Sequence, residues 1–335
     1  MSMAKIIISA DIHFCKRESL VDNRYDLLVK SFDWVNDLTK ELTVGGAQPL
    51  NVDLGDMFNT SILTAEDIAI LDTIKFTSEW HCIAGNHEID GSNSLLKYFR
   101  DLHVVYEKPQ LKNFGKHGGW ALFLPFTKEP KSLDELLRKL PENEQVVVFS
   151  HCEFAGMFGA ESGYTISEIT NDKRIKMWFN GHYHTRAKLS PKIQVVGNLV
   201  GKNFTQNFDP HGVAVYDTDT NEFEFIENPY AIRFGKMDVS KEECKAIRKL
   251  IEADPIKRYV LAIQCDIELK EQMKEWADKF LIASRIVVTG GVGASGFSEV
   301  DLGDSQPIAI DHIAMFKQEV GIRFGEDMVN AIFKN

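Results

Sequence analysis

Apolar positions in the first part of the chain alternate between short continuous runs and segments with a helical period. Residues 6–10 form an apolar run of strand length, which is typical of a strand buried on both faces. Residues 23–42 place Leu27, Leu28 and Phe32 at helical spacing. This alternation of strand and helix predicts a layered α/β domain.

The same two periods continue to about residue 230. Helices are predicted over residues 64–75, with Thr64 as N-cap, and 132–140, and strands over residues 52–54, 80–84, 104–105, 120–124, 145–150 and 176–180. Residues 194–198, 213–216 and 223–226 predict a run of antiparallel strands. Residues 218–221 have the composition of a hairpin turn between the last two of these strands.

The pattern changes near residues 230–238, which we interpret as a domain boundary. Beyond it, helices predicted over residues 241–253 and 268–281 alternate with strands predicted over residues 259–265 and 285–289. The predicted organisation is a first domain at residues 1–230, a small α/β domain at residues 238–290, a linker at residues 291–307 and a helical segment at residues 308–335.

Residues 291–296 match the GxGxxG pattern of dinucleotide-binding loops and follow a predicted strand. A dinucleotide site needs a helix directly after this loop. Gly303 and Pro307 follow instead, with Asp301 and Asp304 between residue 296 and Pro307. We therefore interpret the segment as a linker rather than a nucleotide site.

Composition and charge limit the class of protein. The 335 residues, 44% of them hydrophobic and 26% charged, indicate a globular protein large enough for two domains. Five cysteines without a CxxC pair favour reduced thiols in the cytoplasm, and the first ten residues are expected to be neither signal peptide nor membrane span. A net charge of −11 argues against a broad basic nucleic-acid binder, but bound cations would reverse the charge at a phosphate site.

Candidate metal ligands follow the predicted strands at five places along the chain. They are Asp11 with His13, then Asp56, then Asn86 beside His87, then His151, and finally His182 with His184. Ligands and catalytic groups gather at the carboxyl ends of the strands in open α/β sheets. A set of carboxylate, imidazole and amide donors suits Mn²⁺ or Fe²⁺ and tolerates Zn²⁺, whereas the absence of cysteine ligands argues against a closed structural zinc site.

In order and spacing, these five motifs resemble those of the calcineurin-like metallophosphoesterase superfamily, over about residues 5–227. The resemblance implies a four-layer αββα sandwich with a small C-terminal α/β capping domain and a terminal helical segment. Within the superfamily, residues 55–58, Gly-Asp-Met-Phe, resemble the Gly-Asp-Leu-Phe of one group. That group is the nuclease subunits of SbcCD-type double-strand-break repair nuclease–ATPase complexes, and the compact length is similar to that of its phage recombination endonucleases.

The resemblance implies seven protein ligands for two divalent ions. Metal one would be held by Asp11, His13, Asp56 and His184, and metal two by Asp56, Asn86, His151 and His182. Asp56 would therefore bridge the two ions. His87 is the motif histidine that is not a ligand, and it would steady the reacting phosphate and help to protonate the leaving oxygen. The alternatives are structural histidines, a turn carboxylate at Asp56, and a histidine that only orients a ligand at His87.

The function implied by the resemblance is a two-metal DNA nuclease that acts in recombination or repair. A metal-bridging hydroxide would hydrolyse the phosphodiester, by exonuclease or endonuclease cleavage. Mn²⁺ is the favoured metal, with Mg²⁺, Fe²⁺ and Zn²⁺ as alternatives. The implied partners are DNA, a second copy in a homodimer and an SMC-like ATPase that docks on residues 308–333. The expected location is the cytoplasm, or the host cytoplasm for a phage-encoded protein, without membrane attachment.

Two other functions stay open from the sequence. One is a phosphodiesterase or pyrophosphatase for a small nucleotide, and the other is a non-catalytic scaffold. Glu88 stands where the nuclease group often has Asp, and Glu in that place also occurs in protein phosphatases of the superfamily. Those phosphatases follow Gly-Asp with Asp-Arg-Gly, which residues 57–59 lack. Five basic residues near the predicted site are either contacts for a nucleic-acid backbone or solvated charges: Lys16, Arg17, Arg186, Lys188 and Lys202.

Overall fold

The structure, a computed structural model, describes residues 5–15, 21, 24–59, 63–88, 104–115, 119–157, 160, 162–206, 208–255 and 257–289. The predicted linker, its GxGxxG pattern and the predicted helical segment at residues 308–335 lie outside these residues. The chain divides into two compact units. The first consists of residues 1–200 and 211–231, and the second of residues 201–210 and 232–335.

The first unit contains the strands that end in the predicted motifs. Its strands are β1 (Lys5–Ser9), β2 (Leu50–Asp53), β3 (Trp80–Ile83), β4 (Val104–Tyr106), β5 (Gln110–Asn113), β6 (Trp120–Leu124), β7 (Val146–Ser150), β8 (Ile175–Asn180), β9 (Ala187–Lys188), β10 (Ile193–Val195), β11 (Gly212–Asp217) and β12 (Glu222–Glu227). Its helices are α1 (Arg24–Glu41), α2 (Ala65–Leu71), α3 (Leu133–Leu137) and α4 (Ile166–Asn171). The predicted helix at residues 23–42 is thus confirmed, whereas α2 and α3 are shorter than predicted.

These strands form two six-stranded sheets. The first has the order β12-β11-β1-β2-β3-β4, and the second has the order β5-β6-β7-β8-β10-β9. Strands β1 to β4 run parallel to one another, and so do β6, β7, β8 and β10. The motif-bearing strands are therefore parallel neighbours within each sheet, and their carboxyl ends lie at one edge.

The two sheets pack face to face with helices outside them. Val52 of β2 and Phe149 of β7 belong to one buried cluster between the sheets. The alternate residue Val148 points to the other face of the second sheet, into a cluster that includes Leu137 of α3. On the outer face of the first sheet, Phe32 of α1 packs against Trp80 of β3, with ring centroids 5.8 Å apart. The order of layers is α, β, β, α, which confirms the predicted sandwich.

The predicted N-cap of α2 is confirmed by its hydrogen bonds. The hydroxyl of Thr64 accepts a hydrogen bond from the backbone N–H of Asp67 at 3.1 Å. The backbone N–H of Thr64 in turn donates to the Asp67 carboxylate at 2.8 Å. This reciprocal pair satisfies two N–H groups that have no partner inside the helix.

The strand partners after residue 190 differ in part from the prediction. Strand β10 pairs in parallel with β8 in the second sheet, so the predicted run of three antiparallel strands is wrong at its first member. The reason is a crossing between sheets, because the chain passes from β10 in the second sheet to β11 in the first. Strands β11 and β12 form the predicted antiparallel hairpin, and Asn221 in its turn has a φ of 63°.

The second unit is a small α/β arrangement, as the pattern predicted. It contains β13 (Arg233–Asp238), α5 (Glu243–Ala253), β14 (Tyr259–Asp266), α6 (Lys270–Phe280) and β15 (Ala283–Thr289). The three strands form a parallel sheet in the order β13-β14-β15. Ile263 of β14 and Trp276 of α6 share its buried core. Strand β13 occupies residues that we interpreted as a boundary. Within the described part of the chain, the helices lack the length and apolar character needed to span a membrane.

Candidate metal centre

One edge of the first unit collects the carboxyl ends of β1, β2, β3, β7 and β8, and the predicted site residues lie there. All eight are brought within contact distance of at least one other member: Asp11, His13, Asp56, Asn86, His87, His151, His182 and His184. The two sheets contribute to the same site, since Asp56 follows β2 of the first sheet and His151 follows β7 of the second.

The backbone at these residues is held in a conformation that non-glycine residues rarely adopt. Asp11, His13, Asp56 and His182 have φ values of 50°, 48°, 53° and 70°. Two hydrogen bonds tie the first loop to the second, from Asp11 N–H to the Gly55 carbonyl and from His13 N–H to the Asp56 carbonyl, both 2.9 Å. Such strained residues cluster at functional sites, where the surrounding structure holds them in place.

Two motif glycines are needed because side chains of the site approach the backbone closely. A Cβ on Gly85 would lie 2.1 Å from Oδ1 of Asp56, and a Cβ on Gly55 would lie 2.7 Å from Nδ1 of His151. Gly55 also has a φ of 100°, which L side chains rarely adopt. The glycine before each ligand therefore allows the loops of the two sheets to close around the site.

The first group of candidate ligands is formed by Asp11, His13 and His184. Nε2 of His13 lies 2.9 Å from Nε2 of His184, and Nε2 of His184 lies 4.0 Å from Oδ1 of Asp11. Ligand atoms of all three residues lie within 4.8 Å of one another. Oδ2 of Asp56 faces this group at 3.9 Å from Nε2 of His13.

The second group is centred on the side-chain oxygen of Asn86. Oδ1 of Asn86 lies 3.0 Å from Nε2 of His151 and 3.0 Å from Nδ1 of His182. Nε2 of His151 lies 3.5 Å from Oδ2 of Asp56. The same Asp56 oxygen thus faces both groups, as a bridging carboxylate requires.

The spacing and chemistry of these donors fit divalent metal ions. Ligands at right angles around an ion with metal–ligand distances of about 2.1 Å lie about 3.0 Å apart. The contacts between His13 and His184, and between Asn86 and each of its two histidines, have this spacing. Imidazole, carboxylate and amide donors without thiolate suit first-row divalent ions.

Hydrogen bonds outside the site fix two of the histidine rings. Nδ1–H of His151 donates to the Leu54 carbonyl at 2.7 Å, which leaves Nε2 directed at Asp56 and Asn86. Nδ1–H of His87 donates to the Asn59 carbonyl at 2.6 Å, and Nε2 of His87 lies 3.7 Å from Oδ2 of Asp56. His87 is the more open ring, with 32% of its side chain exposed, whereas the His151 side chain is fully buried.

Glu88 holds the backbone around Asp56 through hydrogen bonds. Its buried carboxylate accepts hydrogen bonds from the backbone N–H groups of Asp56, Phe58 and Gly85, at 3.0, 2.8 and 2.8 Å. Burial, with the nearby Asp56, raises the pKa of Glu88 to about 8. The sequence pointed to Glu88 only as a marker of relationship, whereas the structure shows that it joins the loops after β2 and β3.

Asn180 supports the two histidines of the second sheet, and the sequence analysis did not single it out. Its Oδ1 accepts hydrogen bonds from the Ser150 hydroxyl at 2.5 Å and from the Cys152 N–H at 3.1 Å. Its Nδ2 donates to the carbonyls of Cys152 at 3.0 Å and Gly181 at 2.7 Å. Asn180 thus joins the segments that carry His151 and His182. Its position directly before Gly181 was the available signal.

The electrostatics of the site follow from buried, closely spaced groups of opposite charge. Although burial opposes ionisation, His151 and the neighbouring histidines hold the pKa of Asp56 well below its usual range. Burial alone would lower the pKa of His151, but the Asp56 carboxylate raises it to about 10. Burial and the nearby His151 lower the pKa of His182 to about 3. A metal ion must displace the His151 proton, so metal binding is coupled to proton release.

Of the five basic residues predicted near the site, the structure describes three. Lys16 and Arg17 lie outside the described residues. The Arg186 guanidinium lies 4.1 Å from the ring centroid of Phe225, which is a cation–π contact. Lys188 is exposed on β9, and Lys202 belongs to the second unit.

Comparison with known proteins gives the same family as the site geometry. The "Exonuclease subunit 1" of Enterobacteria phage T4 is 25% identical over 195 residues, covering 53% of this chain and 55% of the relative. The chain therefore matches about half the length of that relative. A family model described as "Calcineurin-like phosphoesterase" matches residues 4–186, which include every predicted site residue. With more than half of its length matched, and with the strand-end ligands assembled at one edge of an αββα sandwich, the chain belongs to the calcineurin-like phosphoesterase family.

Proposed function

We propose that this phosphoesterase is a two-metal-dependent DNA nuclease that hydrolyses phosphodiester bonds. The observation that carries the proposal is the position of Oδ2 of Asp56, which faces His13 at 3.9 Å and His151 at 3.5 Å. A carboxylate between two sets of ligands can hold two ions about 3.5–4 Å apart, the spacing that suits in-line displacement at phosphorus.

In this proposal, each group of residues has a defined task. Asp11, His13 and His184 hold metal one, Asn86, His151 and His182 hold metal two, and Asp56 is shared. When bound, the two ions lower the pKa of a water molecule and neutralise charge on the phosphate. Mn²⁺ is the favoured ion because the donors are imidazole nitrogens and carboxylate or amide oxygens.

His87 is the proposed acid. Its Nδ1–H is held by the Asn59 carbonyl, so Nε2 is the nitrogen that exchanges a proton with the substrate. The protonated ring would donate an Nε2–H hydrogen bond to the phosphate and then transfer that proton to the leaving oxygen. Nε2 of His87 lies 3.7 Å from Oδ2 of Asp56, so the ring stands beside the proposed bridging carboxylate.

DNA is preferred over a small nucleotide for two reasons. The relative in phage T4 is called an exonuclease subunit, and residues 55–58 resemble the matching motif of nuclease subunits. The word "subunit" also supports a partner protein. We propose a role in recombination or repair, as a homodimer, with an SMC-like ATPase bound to residues 308–333. Because this chain has a net charge of −11, such a partner would supply many of the contacts to DNA.

The test is hydrolysis of defined substrates by the purified full chain with Mn²⁺, Mg²⁺, Fe²⁺ or Zn²⁺. Single- and double-stranded DNA are compared with cyclic nucleotides and bis(p-nitrophenyl) phosphate. Cleavage of DNA that disappears with EDTA and in Asp56→Ala is expected. Hydrolysis of the small substrates alone, with or without an added ATPase partner, would favour a small-nucleotide phosphodiesterase. Absence of bound metal and of all hydrolysis would favour a scaffold.

A further inference from the structure

His182 presents one nitrogen to the metal centre and the other to a carboxylate. Nδ1 of His182 lies 3.0 Å from Oδ1 of Asn86, on the side of the candidate ligands. Nε2 of the same ring lies 3.9 Å from Oε1 of Glu153. Once Nδ1 binds a cation, Nε2 carries the proton of the ring, because a neutral imidazole has only one N–H.

We infer that Glu153 is a positioning residue for metal two, because its carboxylate accepts the hydrogen bond from Nε2–H of His182 in the metal-bound protein. The inference rests on the proposed two-metal site and deepens it. At 3.9 Å the pair is just outside hydrogen-bond distance in this structure. The Glu153 side chain is 43% exposed, so a small rotation can close the gap.

The backbone around Glu153 is tied to the strand end that carries His182. The N–H of Phe154, the next residue, donates to the hydroxyl of Tyr183 at 2.9 Å. The rings of Phe154 and Tyr183 are also stacked, with centroids 6.0 Å apart. Since Tyr183 directly follows His182, this bond holds the backbone next to Glu153 close to the segment that carries the imidazole.

A glycine holds the other side of the same segment. A Cβ on Gly163 would lie 2.4 Å from the backbone oxygen of Glu153, and Gly163 has a φ of 126°. The N–H of Ala155 donates to the Tyr164 carbonyl at 3.0 Å, which joins the two segments. The backbone position of Glu153 is thus set by contacts on both sides of the chain.

The physical effect of this carboxylate is on the strength of the metal ligand. A carboxylate that accepts the N–H of a ligating imidazole fixes the ring orientation and makes the ligating nitrogen more basic. Loss of such a partner lowers metal affinity by about 10–100-fold. His151 has a backbone carbonyl, that of Leu54, in the corresponding role. For His182, Glu153 is the carboxylate that faces Nε2 among the described residues.

The first experiment is calorimetric titration of Mn²⁺ into the metal-free full chain. In Glu153→Ala, we expect the affinity for metal two to fall by about 10–100-fold while metal one is unchanged. Glu153→Gln keeps an acceptor oxygen without the charge, so an intermediate loss is expected. Glu129→Gln is the matched control, because Glu129 is also an exposed acid and lines the same cavity as Glu153, and among the described residues no ion pair joins it to a histidine.

A second measurement separates positioning from general destabilisation. In Zn²⁺-loaded protein, the Nε2–H proton of His182 should be protected from exchange in the wild type and exposed in Glu153→Ala, measured by NMR.

The outcomes distinguish this inference from the proposed function. If the wild type binds two ions and Glu153→Ala binds both as tightly, with unchanged Nε2–H exchange, the positioning role is wrong and the two-metal site stands. If the wild type binds fewer than two ions, the proposed two-metal site itself is wrong. Equal weakening of both ions in Glu153→Ala would also contradict a role specific to metal two.

Discussion

Oδ2 of Asp56 lies 3.5 Å from Nε2 of His151, and both side chains are buried. Each group shifts the other toward its charged form, since the pKa of Asp56 is held low and that of His151 is raised to about 10. The pair joins the two sheets, because Asp56 follows β2 and His151 follows β7. It is the electrostatic centre of the site, and a metal ion would take the place of the histidine proton.

Replacement of Asp56 should remove both metals together. In Asp56→Ala, the oxygen that faces both ligand groups is absent, so we expect the bound metal, measured by elemental analysis, to fall from two ions toward none. Loss of a residue that only hydrogen-bonds to a metal ligand typically lowers activity by up to roughly 100-fold, and the cleavage rate of Asp56→Ala should fall by more than that. Asp33→Asn, an exposed carboxylate on α1, serves as the control. Retention of one tightly bound ion would show that Asp56 does not bridge.

Replacement of His87 should separate catalysis from metal binding. Because its Nδ1–H is held by Asn59 and its Nε2 points toward Asp56, we expect His87→Ala to keep both metals. The loss of a general acid should reduce kcat by about 10²–10⁴-fold. Metal content and single-turnover cleavage are measured on the same preparation. Loss of a metal ion would instead make His87 a ligand, since its ring also lies in a possible ligand group with His13 and Asp56.

Replacement of Asn180 should destabilise the first unit. In Asn180→Ala, the Cys152 N–H and the carbonyls of Cys152 and Gly181 lose their side-chain partner. Each buried polar group left without a partner costs about 1–3 kcal/mol, so we expect at least about 2 kcal/mol less free energy of unfolding in urea. Asn171→Ala, at an exposed position, should change it by less than about 0.5 kcal/mol. A loss as small as the control's would mean that this buried network contributes little to stability.

Stability of the metal-free protein should depend on pH through Asp53. Burial raises the pKa of Asp53 to about 7, although Ser9 and the Gly55 N–H donate hydrogen bonds to it. The folded state therefore keeps a proton that the unfolded state releases near pH 4. The contribution of Asp53 to the free energy of unfolding falls as pH rises from about 4 to 7. One pKa unit corresponds to about 1.4 kcal/mol.

The neutral isostere Asp53→Asn removes this dependence. With EDTA present, the variant should gain stability relative to the wild type as pH rises. The difference in free energy of unfolding, Asp53→Asn minus wild type, should increase by at least about 1.4 kcal/mol between pH 5 and pH 8. Urea unfolding at the two pH values provides the measurement. A difference between the two proteins that does not change with pH would exclude a raised pKa at Asp53.

The sequence by itself determined many of the helices and strands and the candidate ligands, but α4, β5 and β9 were not predicted. The apolar run of β1 and the helical period of α1 are local patterns, and each is set by how neighbouring side chains are buried. The candidate ligands could be expected to meet because each motif directly follows a strand, and parallel strands bring such positions to one edge. The capping pair of Thr64 and Asp67 was also readable, because both partners lie within one helical turn.

Only the tertiary structure decided which distant segments meet. The pattern of residues 194–198 predicted a strand but not its pairing with β8, and nothing local assigned residues 201–210 to the second unit. The same holds for the supporting groups. Glu88 binds backbone groups 30 residues away, and Asn180 contacts a segment 28 residues away. The pairing of Glu153 with His182 is likewise absent from any local pattern. A hydrogen bond between distant residues depends on how sheets pack, and that packing is set by the whole core.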